Sequence, residues 1–292
     1  MNIRPATRAD VAAVAEVFAS VEEALLGRRS SLGADAVMAW WQSISFEANT
    51  WLFEEDGALV AAAGGEVEGD HGNGGGGVVP SAQGRGLGAQ LIELMEGRFV
   101  EEGAARILCW ALAADERASE LFQLKGYREA RRFWEMAIDL EEEPPEPTAA
   151  IETFREEEAP ALHAANEAAF EDHWEPHPEP FEKWWERQQG RANYDPSLWF
   201  VIHDGDEVVA LARNELRSSG GYVGSLAVRR PWRGQGYGRA LLLHSFREFR
   251  RRGMTRATLG VDATNPTGAT HLYESVGMRV ETGEIVWEKQ LA

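Results

Sequence analysis

Two short segments carry the clearest chemical signal in this chain. Gln83-Gly-Arg-Gly-Leu-Gly88 and Arg233-Gly-Gln-Gly-Tyr-Gly238 each follow an apolar run and open a helical apolar pattern. Alternating glycines allow tight curvature and leave backbone N–H groups pointing outward at a helix start, which is how a pyrophosphate is cradled. Alone, such a turn is weakly specific, because a structural strand-to-helix turn and a dinucleotide fingerprint share its pattern. The second turn lies deep in its half of the chain, with no first βαβ unit and no ribose-binding acid, which counts against a dinucleotide-binding oxidoreductase. A Walker loop fails for want of Gly-Lys-Ser/Thr. Metal ligation by His173 and His177 is disfavoured, since Pro176 breaks the helix that such an i, i+4 pair needs.

The elements that must position these turns come in two copies. Trp51-Leu-Phe-Glu-Glu-Asp-Gly57 resembles Trp199-Phe-Val-Ile-His-Asp-Gly205, each a strand ending in an Asp-Gly turn. Trp40-Trp41 answers Trp184-Trp185, the Gly-rich turns follow, and Leu121-Phe122 to Gly126-Tyr127 answers Leu272-Tyr273 to Gly277-Met278. The order is the same in both halves, so the chain is an internal duplication. Each half reads strand, one or two helices, two or three strands, Gly-rich turn, helix, strand, helix, strand, which predicts an α/β fold built on a mixed sheet. In the second half, 208–212, 222–228 and 256–261 read as strands and 241–249 as a helix. The run Glu141-Glu-Glu-Pro-Pro-Glu-Pro147 cannot continue a helix or a central strand, which predicts domains at 1–142 and 148–292. The glycine run from Gly69 to Gly77 stands where the first half should have a strand, and glycine weakens strands, so this half reads as degenerate.

Length and composition agree with two globular domains. The chain has 292 residues, 44% of them apolar and 26% charged, enough for two cores and too apolar for disorder. A formal net charge of -19 argues against nucleic acid and anionic membrane as partners, since both require a basic face; an acidic surface suits a cationic substrate better. The single cysteine, Cys109, lies in an apolar run and reads as a small buried hydrophobe. One cysteine excludes an intrachain disulfide and a Cys-based zinc cluster. The N-terminus lacks a signal-peptide core and no stretch approaches a membrane span, so a cytoplasmic protein is expected.

The segment from Leu226 through Arg233 to Leu241, together with Asn265-Pro-Thr-Gly-Ala-Thr-His-Leu-Tyr-Glu-Ser-Val-Gly-Met278, resembles the acyl-CoA-binding signature of the GNAT superfamily of N-acetyltransferases. The likeness covers nearly all of 151–280, and a weaker copy covers 1–140, a tandem layout similar to mycothiol synthase. The resemblance implies two tandem GNAT-like acyl-CoA-binding domains, acetyl-CoA as co-substrate, no metal and a small-molecule amine as acceptor. It implies that Leu226, Ala227 and Val228 bind the pantetheine arm as an added strand. Arg233, Gly234, Gln235, Gly236, Tyr237, Gly238 and Arg239 would hold the pyrophosphate, with Asn265 near the CoA arm. Asn265 to Tyr273 is one residue longer than the usual family spacing.

Acetyl transfer to an amine needs a neutral nucleophile, a polarised carbonyl and a proton for the departing thiolate. The resemblance places the Tyr273 hydroxyl near the thioester sulfur; its counterpart Phe122 cannot donate a proton, which assigns catalysis to the second half. A primary amine of pKa near ~10 costs on the order of 4 kcal/mol to free at neutral pH, so a base is required. Glu215 is one candidate, and Glu171, Asp172 and His173 are others; near the place where mycothiol synthase would carry its base, Tyr222 stands instead. Glu171, Asp172, His173 and Trp174 fall in the region that caps the acceptor site in the family. The arginines at 247, 250, 251 and 252 read as a solvated helix end rather than phosphate ligands. A non-catalytic acyl-CoA binder or sensor is the competing expectation, and a retained Tyr273 speaks against it.

Overall fold

The computed structural model describes residues 1–27, 33–171, 174, 178–191, 193–217, 219–264 and 268–291. It is a mixed α/β structure divided into two compact units, one of residues 1–132 with 282–292 and the other of 133–281.

The first unit contains β1 (Asn2–Arg4), α1 (Val11–Leu26), α2 (Ala34–Ser43), β2 (Thr50–Glu55), β3 (Ala58–Glu68), β4 (His71–Val78), α3 (Leu87–Glu101), β5 (Arg106–Leu112) and α4 (Glu116–Leu124). The strand β6 (Arg128–Asp139) leaves this unit and enters the second. There follow β7 (Glu152–Thr153), α5 (Ala159–Phe170), α6 (Phe181–Gln189), β8 (Trp199–Asp204), β9 (Glu207–Arg217), β10 (Gly220–Val228), α7 (Tyr237–Arg251), β11 (Arg256–Asp262) and α8 (Ala269–Ser275). The last strand, β12 (Arg279–Gln290), returns to the first unit. No helix among the described residues is long and apolar enough to cross a membrane.

Division at the proline-rich segment is not what the contacts give. Residues 133–139 of β6 pair antiparallel with β11, from Phe133 opposite Asp262 to Asp139 opposite Arg256. Residues 284–290 of β12 pair antiparallel with β5, from Glu284 opposite Leu112 to Gln290 opposite Arg106. Each unit's closing strand therefore comes from the far end of the other repeat. The segment 143–147 lies inside the second unit, where Arg247 donates to the Pro144 carbonyl at 2.8 Å and Arg250 to that of Leu140 at 2.6 Å. These two arginines bind the linker, while Arg252 reaches Asp195 at 2.5 Å, so the helix end is engaged rather than merely solvated.

Successive strand residues face opposite sides of a sheet, and both units use this to carry helices on two faces. In the first, Ala62 packs with Trp41 and Val14 of α2 and α1, while Ala61 and Ala63 pack with Leu91, Met95 and Phe99 of α3. In the second, Arg213 reaches Gln188 of α6 at 3.0 Å and the adjacent Asn214 reaches Ser245 of α7 at 3.0 Å. Cys109 is wholly buried in β5, and that burial pushes its thiol up to about 12.

The glycine run, expected to disrupt its strand, forms a regular one: β4 pairs with β3 without a register break, from Val78 opposite Ala61 to His71 opposite Glu68. The reason is close packing. A Cβ at Gly72 would lie 2.1 Å from the Phe99 ring and one at Gly74 would lie 2.9 Å from the Met95 sulfur, so only glycine lets α3 sit this near the sheet. The entropic cost of glycine is thus offset by helix–sheet contact.

Candidate functional site

In each unit two parallel strands begin together and then part. The pairing of β10 with β11 is confined to Gly221 opposite Ala257 and Tyr222 opposite Thr258. Beyond this point β10 remains in register with β9, interrupted by a bulge at Gly224, between Val223 opposite Asn214 and Ser225 opposite Arg213. A bulge adds local twist and re-aims the strand, which turns Leu226, Ala227 and Val228 away from β11. They lie opposite Ala212, Leu211 and Ala210 of β9, so the edge of β10 that faces away from β9 borders a notch able to accept an extended amide-containing chain.

The Gly-rich turn closes one end of this notch. Gly234 and Gly236 adopt φ of +79° and +83°, where a side chain is strained, and a Cβ at either would meet nothing within 4 Å. Gly236 is the N-cap of α7 and supplies no side-chain hydrogen bond to it. The first-turn N–H groups of Tyr237, Gly238 and Arg239 are thereby left for an anion, in a field that favours negative charge. Gly238 lets α7 approach α8, its Cβ position being 3.1 Å from a Leu272 methyl. Gln235 and Arg239 are exposed. Arg233 differs from its expected role: its Nε donates to the Val228 carbonyl at 3.1 Å and its guanidinium also reaches the Ala169 carbonyl at 3.0 Å, so it anchors the turn to β10 and α5.

Tyr273 projects from α8 and is 7% exposed. Its hydroxyl makes no hydrogen bond to any described residue. Burial, with a smaller contribution from the neighbouring Tyr222, pushes the phenol up to about 12, which keeps the proton on it at physiological pH and leaves it available to a departing anion.

Beside the bulge is a polar recess of about 180 Å³ lined by Gln188, Arg191, Tyr194, Trp199, Arg213, Glu215, Arg217, Tyr222 and Gly224, among others. Glu215 is buried here, and each of its oxygens accepts from a guanidinium, Arg217 at one and Arg191 at the other, both at 2.6 Å. As a base it would have to act from within this pair of ion pairs. Arg217 also lies over the Tyr222 ring, 3.3 Å from its centroid. Arg213, Glu215 and Arg217 alternate with period two and so share one face of β9, the signal in the sequence that joins the two arginines to Glu215.

Of the residues expected to cap the acceptor site, Glu171 is exposed just after α5, and Trp174 packs on Phe133 with centroids 6.4 Å apart. Neither lines the recess. Asp172, His173, His177 and Asn265 lie outside the described residues.

The first unit keeps the notch and the turn but has Phe122 in the place of Tyr273. β4 and β5 pair in parallel from His71 opposite Arg106 to Gly74 opposite Cys109 and then part. Gly84 and Gly86 have φ of +76° and +81°, and Gly86 caps α3 as Gly236 caps α7. Gln83 donates to the Val78 carbonyl at 3.3 Å, as Arg233 does to Val228. Phe122, however, is packed against Tyr127 and Trp287, with centroids at 5.0 and 5.8 Å. The space around it is a largely apolar cavity of about 900 Å³ that runs from the turn to Phe18, Val37 and Trp40.

This geometry has known relatives. The sequence model of the Acetyltransferase (GNAT) family matches twice, at residues 15–127 and 159–278. A mycothiol acetyltransferase of Thermobispora bispora is 30% identical over 226 residues, which is 73% of this chain and 74% of that one. A mycothiol acetyltransferase of Acidothermus cellulolyticus is 30% identical over 233 residues, 73% of this chain and 69% of the relative. Among solved structures, a GCN5-related N-acetyltransferase from Sphaerobacter thermophilus superposes with a TM-score of 0.87 at 30% identity, covering 99% of this chain and 95% of that one. A tandem GNAT protein from the clavulanic acid biosynthesis pathway gives 0.75 at 13% identity, covering 100% and 98%, a likeness of fold.

Proposed function

This chain belongs to the acetyltransferase (GNAT) family, and from that premise we propose that it moves the acetyl group of acetyl-CoA to the amine of a small molecule, with the chemistry in the second unit. The observation that carries this is Tyr273: a buried phenol with no hydrogen-bond partner among the described residues and a raised pKa, set on the helix that packs against the phosphate turn.

The pantetheine amides of acetyl-CoA would pair with the free edge of β10 at Leu226 to Val228, and the pyrophosphate would sit on the N–H groups that start α7. That fixes the thioester at the bulge, where a backbone N–H of β10 polarises the acetyl carbonyl. Attack by a neutral amine forms the new C–N bond and a tetrahedral oxyanion; collapse expels the CoA thiolate, which takes the proton of Tyr273. The amine must arrive neutral or lose its proton to the carboxylate of Glu215 or to water, and the displaced proton finally restores the phenol. The first unit, with Phe122 in the corresponding place, holds no donor for such a step and acts as a scaffold.

The test is to titrate acetyl-CoA calorimetrically into the full chain and then to offer a panel of amines, following N-acetylation by mass spectrometry. A mycothiol-type acceptor belongs in the first panel because the relatives carry that name. Saturable binding with acetylation of at least one amine is expected. Absence of acetyl-CoA binding would sink the proposal.

A further inference from the structure

The polar recess of the second unit carries a charge opposite to that of the chain as a whole. The formal net charge is -19, yet the recess is lined by three guanidinium groups, Arg191, Arg213 and Arg217, and by one carboxylate, Glu215. That carboxylate is already shared between Arg191 and Arg217 at 2.6 Å each. Arg213 has no carboxylate within ion-pair distance among the described residues. One of its amines donates to the Gln188 side-chain oxygen at 3.0 Å, and its guanidinium lies near the Trp184 and Trp199 rings, 5.4 and 5.6 Å from their centroids. Its Nε–H is shut off from solvent and has no acceptor among the described residues. Burial, then repulsion by Arg191 and Arg187, lowers its pKa to about 10 against a smaller opposing attraction from Glu215 and Glu167.

A guanidinium held largely away from water, with no ion-pair partner among the described residues and with an orphaned donor, is costly, and proteins rarely keep one unless something supplies the missing charge. Gln188, a neutral amide, and the indole faces hold the guanidinium in place without neutralising it. The recess also opens at the right spot: Tyr222 and Gly224 line it, and these are the residues at which β10 parts from β11 and bulges. A group held in the recess therefore keeps the rest of its molecule beside the notch that holds the thioester.

Resting on the acetyl-transfer reading of this unit, we infer that the acceptor is a small amine bearing an anionic oxyacid group, a carboxylate or a phosphate, and that Arg213 is the counter-ion that binds it. Arg191 and Arg217 strengthen the field and are kept in position by Glu215, which ion-pairs with both and not with Arg213. A volume of about 180 Å³ accommodates the anionic group and a few further atoms, so the amine lies a short distance from the anion, as in an amino acid or a phosphorylated amino alcohol.

The experiment compares matched pairs as acceptors with the full chain and acetyl-CoA: glycine against glycinamide, and O-phosphoethanolamine against ethanolamine. The anionic member of one pair is expected to win by ~100-fold or more in kcat/KM, and which pair shows the preference separates carboxylate from phosphate. Arg213→Gln should remove most of that preference, on the order of 100-fold and chiefly through KM, while the neutral members change by less than about 3-fold. Arg217→Gln, on a more exposed side chain, should raise KM for the anionic acceptor by ~10-fold and keeps the test open if Arg213→Gln does not fold. Calorimetry with N-acetylglycine and N-acetyl-O-phosphoethanolamine, against N-acetylglycinamide and N-acetylethanolamine, reads the recess without turnover: an anionic product should bind wild type and be lost in Arg213→Gln. Neutral amines used as well as or better than anionic ones, or equal losses in both classes for Arg213→Gln, overturn the inference while leaving acetyl transfer standing. If acetyl-CoA does not bind, acetyl transfer itself falls, and the calorimetry with acetylated products still decides whether the recess takes an anion.

Discussion

The pairing of Gly72 with Ile107 in the first unit and of Gly221 with Ala257 in the second brings the two notch strands into register. From there the first reads Gly72-Asn-Gly-Gly-Gly-Gly77 and the second Gly221-Tyr-Val-Gly-Ser-Leu226. Both start with a glycine under a phenylalanine, Phe99 or Phe249, because both must admit a helix flush against the sheet. After that one strand has lost nearly every side chain and runs unbulged, while the other carries Tyr222, bulges at Gly224 and borders a recess of ionised groups. The positive-φ glycine turns and the parting strands are present in both copies, since glycine conformation and an open strand edge do not depend on which side chains surround them. The phenol of Tyr273 and the charged recess depend on individual side chains and are described in one copy. The two copies share backbone geometry more closely than they share the side chains around it.

The largest effect that could break this comparison is on Tyr273. Replacing it by Phe removes the general acid and should lower kcat by ~10²–10⁴-fold with little change in KM for acetyl-CoA. Adding Phe122→Tyr to that variant should not restore turnover, because Ala63 pairs with Trp51 in the first unit where Arg213 pairs with Trp199 in the second; restored turnover would mean that the units differ by a single hydroxyl. Because burial holds the phenol near 12, the wild-type rate should climb as the amine loses its proton and should not fall until above about pH 11, where the acid itself begins to ionise.

Next in size is the effect of blocking one turn at a time. Gly236→Trp forces a side chain onto a φ of +83° and into the space above the α7 N-terminus, and should abolish acetylation together with one acetyl-CoA site. Gly86→Trp does the same above α3 and should leave acetylation intact, provided circular dichroism shows both variants folded. Equal loss of activity in the two variants would contradict the division of labour.

The smallest effect is on stability. Gly75 lies in β4 with nothing within 4 Å of its Cβ position and lines the apolar cavity. Gly75→Leu adds a strand-compatible side chain to empty space and should raise stability by roughly 0.5–2 kcal/mol in denaturant unfolding, with kcat unchanged. A fall in acetylation rate would place part of the reaction in the first unit.

The duplication, the Gly-rich turns and the contrast between Tyr273 and Phe122 are legible in the sequence because each is a matter of local pattern: glycine at fixed offsets, or a residue type at matching positions in two aligned copies. The regular β4 is not, because its justification is a tertiary contact, Phe99 against Gly72, which strand propensity does not contain. The charged recess is half legible. Arg213, Glu215 and Arg217 on alternate positions announce a shared face, yet that Glu215 would pair with two of the arginines and abandon the third depends on Arg191, which arrives from beyond α6. The partners of β6 and β12 are the least legible feature. Apolar alternation says that a strand buries one face but carries no record of which neighbour it joins.

That last feature sets the order in which the molecule can be completed. The first unit emerges from the ribosome first, but the strand that pairs with β5 is β12, which follows every strand of the second unit in the sequence. Until then β5 presents an unpaired edge of the kind that invites association with other chains. The second unit receives β6 early and can close as soon as β11 is made. The half that is translated first is therefore the half that folds to completion last, and a fragment ending at residue 142 is expected to remain soluble only if something else covers that edge.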